Sequence, residues 1–274
     1  MPVINTNTSA QYAQDALKVN SKVMSSAMQQ LGTGNRINQA KDDAAGLSIG
    51  ENMTSQVRGL NQSVRNVNDG INLLQTADGA LVETSNMLQR MRELAVQSSN
   101  GTNSDSQRIY LNNEFSSLKE EISRISDNTT WNQSQLFGSA LGAGASFTFQ
   151  AGILAGQTIK IDLANMTVSA LVLETTTIST ALGSQSSITA VDKAIELVNS
   201  ARSGMGATMN QLSYSADNMT NISTNIAASR STVMDTDYAT ASATLAKSQI
   251  VQQAATAMLA QANQQPQSVL SLIK

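Results

Sequence analysis

The sequence predicts a mainly α protein, an elongated antiparallel helical bundle or coiled coil with a small β-hairpin insertion. Three observations favour this class. The 274 residues include two prolines, Pro2 and Pro266, so no residue between them breaks a helix through a fixed φ or a missing N–H. Aromatic residues, which usually dominate β-rich cores, make up only 3% of the chain. Long segments repeat apolar residues at alternating steps of four and three.

The composition also excludes several classes of chemistry. The chain has no histidine and no cysteine, which removes the usual zinc ligands, disulfides and the imidazole base of Ser–His–Asp or Cys–His catalysis. A net charge of −3 is not that of a typical nucleic-acid-binding protein. No apolar run reaches the roughly 18 residues of a membrane span, and the N-terminus lacks the pattern of a Sec signal. We therefore expect no enzyme, no cofactor, no metal, and no nucleic-acid or membrane partner.

The first predicted helix runs over about 8–31. Its apolar residues recur every seven positions at Leu17, Met24 and Leu31. Gly32 and Gly34, in the turn-rich segment 32–35, are expected to end this helix. Asp42 and Asp43 then supply carboxylates suited to capping the start of the next helix.

Three longer amphipathic helices are predicted over residues 44–98, 105–127 and 189–234. The heptad pattern of the first is carried by Met53, Val57, Leu60, Val64, Val67, Ile71 and Leu74. A polar turn at 98–104 separates the first two helices, and Ser104 or Asp105 is suited to capping the second. At about 1.5 Å per residue the first helix is about 80 Å long, so its apolar stripe has to pack against the other two. We interpret that stripe as a bundle core.

The middle of the chain and its last helix differ from these segments. Residues 146–150 and 158–163 alternate with period two around Gly152 and Gly156, which predicts a β-hairpin with a loop of about five residues. The C-terminal helix is expected to be interrupted or kinked at Pro266. Its apolar residues are Met258, Leu259, Val269, Leu270 and Leu272. Apolar helix faces at both chain ends usually need a partner.

Several separated blocks of the sequence resemble bacterial flagellin. They read VINTN at 3–7, GNRINQAKDDAAGLSI at 34–49, LQRMRELAVQ at 88–97, NGTN at 100–103, DTDYA at 235–239, AMLAQANQ at 257–264 and VLSLI at 269–273. The resemblance covers about 1–137 and 188–274, and it implies the D0–D1 fold of a short flagellin. The implied domains are 1–43, the D0 N-terminal helix and linker; 44–137, the D1 N-terminal helices; 138–188, the D1 β-hairpin and loop region; 189–234, the D1 C-terminal helix; and 235–274, the D0 C-terminal helix.

The resemblance implies a structural function, self-polymerisation into the extracellular flagellar filament used for swimming. The implied partners are a filament cap protein, a hook–filament junction protein, an export chaperone and the flagellar type III export apparatus, with secretion that needs no cleaved Sec signal. Polymerisation contacts are expected on the stripes of the two terminal helices, at Leu17, Met24, Leu31, Met258, Leu259, Val269, Leu270 and Leu272. The alternative is a hook–filament junction protein, which shares the terminal helices.

One further surface follows from the resemblance. Gln89, Arg90, Leu94 and Glu114 match the D1 surface through which many flagellins engage Toll-like receptor 5. We expect the monomer to be recognised there, and packing between protofilaments is the competing interpretation. The Gly-x-Gly sequences lack the context of a phosphate-binding loop, and a metallopeptidase insert would need histidines that the chain lacks.

Overall fold

The computed structural model describes residues 6–138 and 145–271, with side chains described as far as residue 264. The helices are α1 Thr8–Thr33, α2 Ala44–Ser99, α3 Asp105–Asn128, α4 Ala181–Met234 and α5 Tyr238–Ser271. The strands are β1 Thr130–Trp131, β2 Ser134–Gln135, β3 Ser146–Gln150 and β4 Thr158–Asp162. The predicted mainly α fold with a small β-hairpin is confirmed.

The chain forms two compact units, residues 1–57 with 224–274 and residues 58–223. Both unit boundaries fall inside helices, α2 and α4. The predicted D0–D1 boundaries follow the helix breaks at 43/44 and 234/235 instead, and that division stays a prediction.

In the first unit, α1 and α5 pair along their lengths. The Asn20 side chain donates to the Ser248 carbonyl at 2.8 Å, and the Tyr238 hydroxyl donates to the Leu31 carbonyl at 3.4 Å. Residue numbers therefore rise along α1 as they fall along α5, which makes the pair antiparallel. α1 ends at Gly34, whose φ of 74° is the left-handed conformation that glycine adopts without a Cβ penalty.

In the second unit, the apolar stripes of α2, α3 and α4 form the core. Its fully buried residues include Leu74, Leu81, Leu88, Met91, Phe115, Ile122, Val191, Val198 and Leu212. Polar pairs fix the antiparallel register of α2 and α4. Arg202 donates to Asp78 at 2.8 Å, and Arg92 donates to Asp192 at 2.6 Å.

The β3–β4 hairpin packs against α2. A Cβ added at Gly70 would lie 3.4 Å from the Phe149 ring, so glycine allows the strand to approach the helix closely. Nearby, the Asn66 side chain donates to the Gln150 carbonyl at 3.3 Å. The strands meet the loop where predicted, at Gln150 and Thr158, so the hairpin loop comprises residues 151–157 and is longer than the predicted five residues.

Two features of the second unit were not predicted. α4 begins at Ala181, eight residues before the predicted start at 189. Its first turns bury Ser184 and Ser187 instead of apolar residues, so the apolar stripe gave no sign of them. The β1–β2 pair turns through Asn132 and Gln133, both with positive φ, and their polar sequence lacks the glycine that usually marks such a turn.

The last helix is not interrupted at Pro266, because α5 continues to Ser271. A proline cannot donate a hydrogen bond to the carbonyl four residues earlier, which here is the carbonyl of Ala262. The side chain of Asn7 donates to that carbonyl at 2.8 Å. The chain's opening segment thus supplies the donor that Pro266 lacks.

Candidate functional site

The predicted recognition surface lies on neighbouring turns of α2 and α3. The guanidinium of Arg90 donates to Glu114 at 2.9 Å and to Glu93 at 3.0 Å. The hydrogen bond to Glu114 is the main reason that the pKa of Arg90 is raised above its ordinary value. The side chain of Arg90 is 49% exposed, and Gln89 and Glu114 are also exposed. The structure therefore brings Arg90 and Glu114 together as one charged, accessible pair.

Leu94, the fourth residue of this predicted surface, lies elsewhere. It is only 1% exposed and belongs to the core of the second unit. It follows Met91, another core residue, by three positions, so both lie on the buried face of α2. A partner that binds Arg90 and Glu114 would not touch the Leu94 side chain in this conformation.

The predicted polymerisation residues of α1 lie on the side that faces α5. Leu17, Met24 and Leu31 are half-buried and continue the seven-residue spacing that starts at buried Ala10. On α5, Leu259 is half-buried and Met258 is exposed. The side chains of Val269 and Leu270 lie outside the described residues, as does Leu272.

Each terminal helix also has a second apolar stripe that was not predicted. Tyr12, Val19 and Val23 on α1 are exposed, and so are Ile250 and Val251 on α5. The α1 residues are spaced seven and four positions apart, so they form one helical face. That spacing is visible in the sequence, but only the position of α5 shows which of the two α1 stripes it covers.

A buried polar cluster holds the turn between α2 and α3. Arg108, at the start of α3, donates to the carbonyl of Ser98 and also to those of Asn100 and Asn103, each at 3.2 Å. The Ser98 hydroxyl donates to the carbonyl of Ile178 at 2.6 Å. The end of α2 is thereby bound both to α3 and to the segment that leads into α4.

The aspartates considered as helix caps divide into two kinds. Asp43 accepts from the backbone N–H of Gly46 at 2.8 Å, which confirms it as a cap of α2. Asp42 instead accepts from the N–H groups of Asn38 and Gln39 within the linker. At the start of α3 the cap is Ser104, which forms a capping box with Gln107.

None of the helices within 6–138 and 145–271 combines the length and the hydropathy of a membrane-spanning helix.

Comparison with known proteins bears on what these surfaces do. Residues 4–140 match the family profile described as bacterial flagellin N-terminal helical region, and residues 188–273 match bacterial flagellin C-terminal helical region. The flagellin of Halalkalibacterium halodurans is 43% identical over 274 residues, covering 99% of this chain and 100% of that protein. Flagellin A of Vibrio anguillarum is 34% identical over 375 aligned positions, covering 99% of each chain. The crystal structure of Bacillus cereus flagellin superposes with a TM-score of 0.52 at 33% identity, covering 61% of this chain and 94% of that one.

The fold and these matches define a helical structural subunit that assembles with further copies of itself. The chain belongs to the bacterial flagellin family. It is a short-form subunit of the flagellar filament, an extracellular polymer.

Proposed function

We propose that the second apolar stripes of α1 and α5 supply filament contacts of this flagellin. The observation that carries the proposal is that these stripes are exposed although α1 and α5 already pair, and so is the predicted contact residue Met258. The exposed residues of the two stripes are Tyr12, Val19, Val23, Ile250 and Val251. The inner face of that pair is partly polar, with Asn20 and Ser248 hydrogen-bonded across it. Burying each large apolar side chain against another copy would contribute about 1.5–3 kcal/mol.

In this proposal the residues predicted from the sequence act together with the exposed stripes. Leu17, Met24, Leu31 and Leu259 hold α1 and α5 against each other, and that pairing presents the outer stripes to neighbouring copies. Val269, Leu270 and Leu272 would extend the contact surface towards the chain end. A heterologous contact of this kind does not close on itself and generates a helical polymer.

Elongation of filament seeds by purified monomer, followed by electron microscopy, tests this proposal. Val19→Ser and Ile250→Ser should each raise the critical concentration about tenfold, because each removes one buried apolar contact. Gln14→Ser and Gln253→Ser, at exposed polar positions of the same helices, are matched controls that should leave it unchanged. Equal elongation by all four variants would contradict the proposal. Deletion of 254–274 should leave a soluble protein that does not elongate seeds. Elongation by the wild type distinguishes a filament subunit from a hook–filament junction protein, which would not elongate any seed.

We also propose the D0–D1 division, with D0 formed by 1–43 and 235–274. A short backbone clasp joins the 234/235 boundary to the start of the linker between α1 and α2, and it supports the division. Asn35 and Asp235 form an antiparallel bridge, and the N–H of Thr236 donates to the Gly34 carbonyl at 2.9 Å. Limited trypsin digestion of the monomer should cut first near Lys41, in the linker beside this clasp, and an earlier cut inside α2 would argue against the division.

The remaining proposed partners follow from membership of the family. They are a filament cap protein, a hook–filament junction protein, an export chaperone and the flagellar type III export apparatus, with secretion that needs no cleaved Sec signal. Secretion of this chain in a strain that lacks the type III apparatus would contradict the export proposal.

We propose that Toll-like receptor 5 recognises the monomer through Gln89, Arg90 and Glu114, with Leu94 supporting the surface from below. The accessible Arg90–Glu114 pair supports this, because a guanidinium fork is suited to polar interface contacts. Receptor activation by Arg90→Ala monomer should fall well below the wild-type signal. Arg124→Ala is the matched control, since Arg124 is also exposed and paired with a carboxylate, that of Glu121 within the same helix. Equal signals from wild type and Arg90→Ala would overturn the proposal.

A further inference from the structure

We propose that Val172 is a contact between neighbouring copies in the filament, presented on a loop of the second unit by a strained backbone. The inference rests on the filament function established above. It concerns a residue outside the terminal helices and outside the Arg90 surface.

The backbone of Val172 lies in the left-handed region, with a φ of 58°. L-residues avoid this region because Cβ crowds the following carbonyl oxygen, and β-branched side chains are crowded most. Apart from Asn132 and Gln133 in the β1–β2 turn, Val172 is the one non-glycine residue with positive φ in the described ranges. A valine there is costly unless its side chain contributes something in return.

The local hydrogen bonds explain why the backbone cannot relax. The N–H of Leu173 donates to the Val168 carbonyl and the N–H of Val172 donates to the Ser169 carbonyl, both at 3.0 Å. This pair of bonds is the Schellman motif, whose left-handed position is usually glycine. Here that position is Val172.

The packing on both sides holds the same geometry. Leu171 and Leu173 are buried in the core of the second unit, so the residue between them has to point outwards. Lys119 on α3 donates to the carbonyls of Glu174 at 3.2 Å and Thr176 at 3.5 Å. The strain persists because this packing and these hydrogen bonds hold the backbone on both sides of Val172, and strained residues held in this way are common at functional positions.

Val172 is 68% exposed as a residue, so much of its side-chain surface has no neighbour in its own chain. Glycine at this position would remove the strain at little loss of packing. An apolar contact of the valine side chain with another chain would offset the backbone strain. Because the protein is the subunit of a homopolymer, every subunit has neighbouring copies of the same chain. The partner of Val172 in this proposal is therefore an apolar surface on a second copy.

Opposite effects on the monomer and on the filament test the proposal. Val172→Gly should raise the Tm of the monomer by about 2–4 °C, because it relieves backbone strain. The same variant should raise the critical concentration for seed elongation about tenfold, because it removes one buried apolar contact. Gln133→Gly is the matched control, a positive-φ exposed residue whose replacement should raise the Tm and leave elongation unchanged. Val172→Gly filaments that form at the wild-type critical concentration would overturn the proposal.

A labelling experiment reads the contact directly. The chain has no cysteine, so Val172→Cys carries a single thiol. Maleimide should react with this thiol in the monomer and at least tenfold more slowly in filaments grown from the variant mixed with excess wild-type monomer. Equal rates in monomer and filament would show that the residue faces solvent in the polymer and would refute the contact. Wild-type monomer that failed to elongate seeds would count against the filament function itself, so the two failures are distinguishable.

Discussion

Arg108 holds the turn between α2 and α3, and its replacement should measure how much that turn contributes to stability. Its side chain is 7% exposed, and it donates to the carbonyl of Ser98 in the last turn of α2 and to those of Asn100 and Asn103 in the turn that follows. The carboxylate of Asp105 lies 3.9 Å from its Nε, but the Asp105 side chain is 99% exposed. We therefore expect Arg108 to act by capping α2 and not through this ion pair.

The size of the effect follows from the environment of the carbonyls. Arg108→Met keeps the length of the side chain and removes every donor. The Ser98 carbonyl would lose its donor beside a fully buried residue, which costs about 1–3 kcal/mol. A cation at a partly buried helix C-terminus contributes up to about 2 kcal/mol more. The middle of these ranges amounts to about 3 kcal/mol, which lowers the Tm of a protein of this size by about 6–12 °C.

Thermal and urea unfolding of the purified monomer, followed by circular dichroism at the helix band, measures this loss. Arg108→Lys should fall between wild type and Arg108→Met, because one ammonium group cannot reach three carbonyls in the planar fork of arginine. Asp105→Ala should leave the Tm unchanged. Either of two results would refute the capping role of Arg108: Asp105→Ala destabilises the protein as much as Arg108→Met, or Arg108→Met changes the Tm by less than about 2 °C.

Three smaller predictions concern other positions. A Cβ at Gly79, in the interior of α2, would meet nothing within 4 Å, so Gly79→Ala should add about 1 kcal/mol to the free energy of unfolding, and a lower midpoint in urea would contradict this. The buried hydroxyl of Ser126 has no hydrogen-bond partner in the described part of the chain, so Ser126→Ala should add about 1 kcal/mol by the same assay. The hydroxyl of Thr240 donates to Asp237 at 2.7 Å and lowers the pKa of that carboxyl. Asp237 therefore stabilises the start of α5 fully at pH values above the ordinary carboxyl pKa of about 3.9, and this stabilisation is lost as the pH falls through the lowered pKa. Hydrogen exchange at the first turn of α5 should become faster in acid for the wild type, and Asp237→Asn should remove that pH dependence.

The long helices could be predicted closely because their signals are local. The heptads of α2 and α3, with Ser104 or Asp105 as the cap of α3, predicted the boundaries of these helices within a residue or two of those observed. The start of α4 could not be found this way. Its first turns are held by side-chain hydroxyls, such as that of Ser184, which donates to the Thr180 carbonyl at 2.8 Å, and hydroxyls have no apolar periodicity.

The surfaces were harder to predict than the helices. α1 has two apolar stripes, and the sequence does not show that α5 covers the one containing Leu17 and leaves Val19 exposed. Resemblance to a family placed Leu94 on a surface, whereas its spacing from Met91 places it in the core. The strain at Val172 has no sequence signal, because distant contacts such as Lys119 to Glu174 help to set that backbone.

The hydrogen bond from Asn7 to the Ala262 carbonyl joins positions 255 residues apart. It gives the Ala262 carbonyl, which Pro266 leaves without its usual helical donor, a donor from the segment before α1. A protein that lacked its opening segment would lose two interactions at once, the bond to Ala262 and the cap that Asn7 gives α1 through Ala10. α5 would then be expected to fray from Ala262 onwards, because Pro266 cannot replace the missing donor. Loss of the segment around Asn7 should therefore weaken both the start of α1 and the last turns of α5, and loss of those last turns should in turn remove one hydrogen bond that holds the Asn7 side chain.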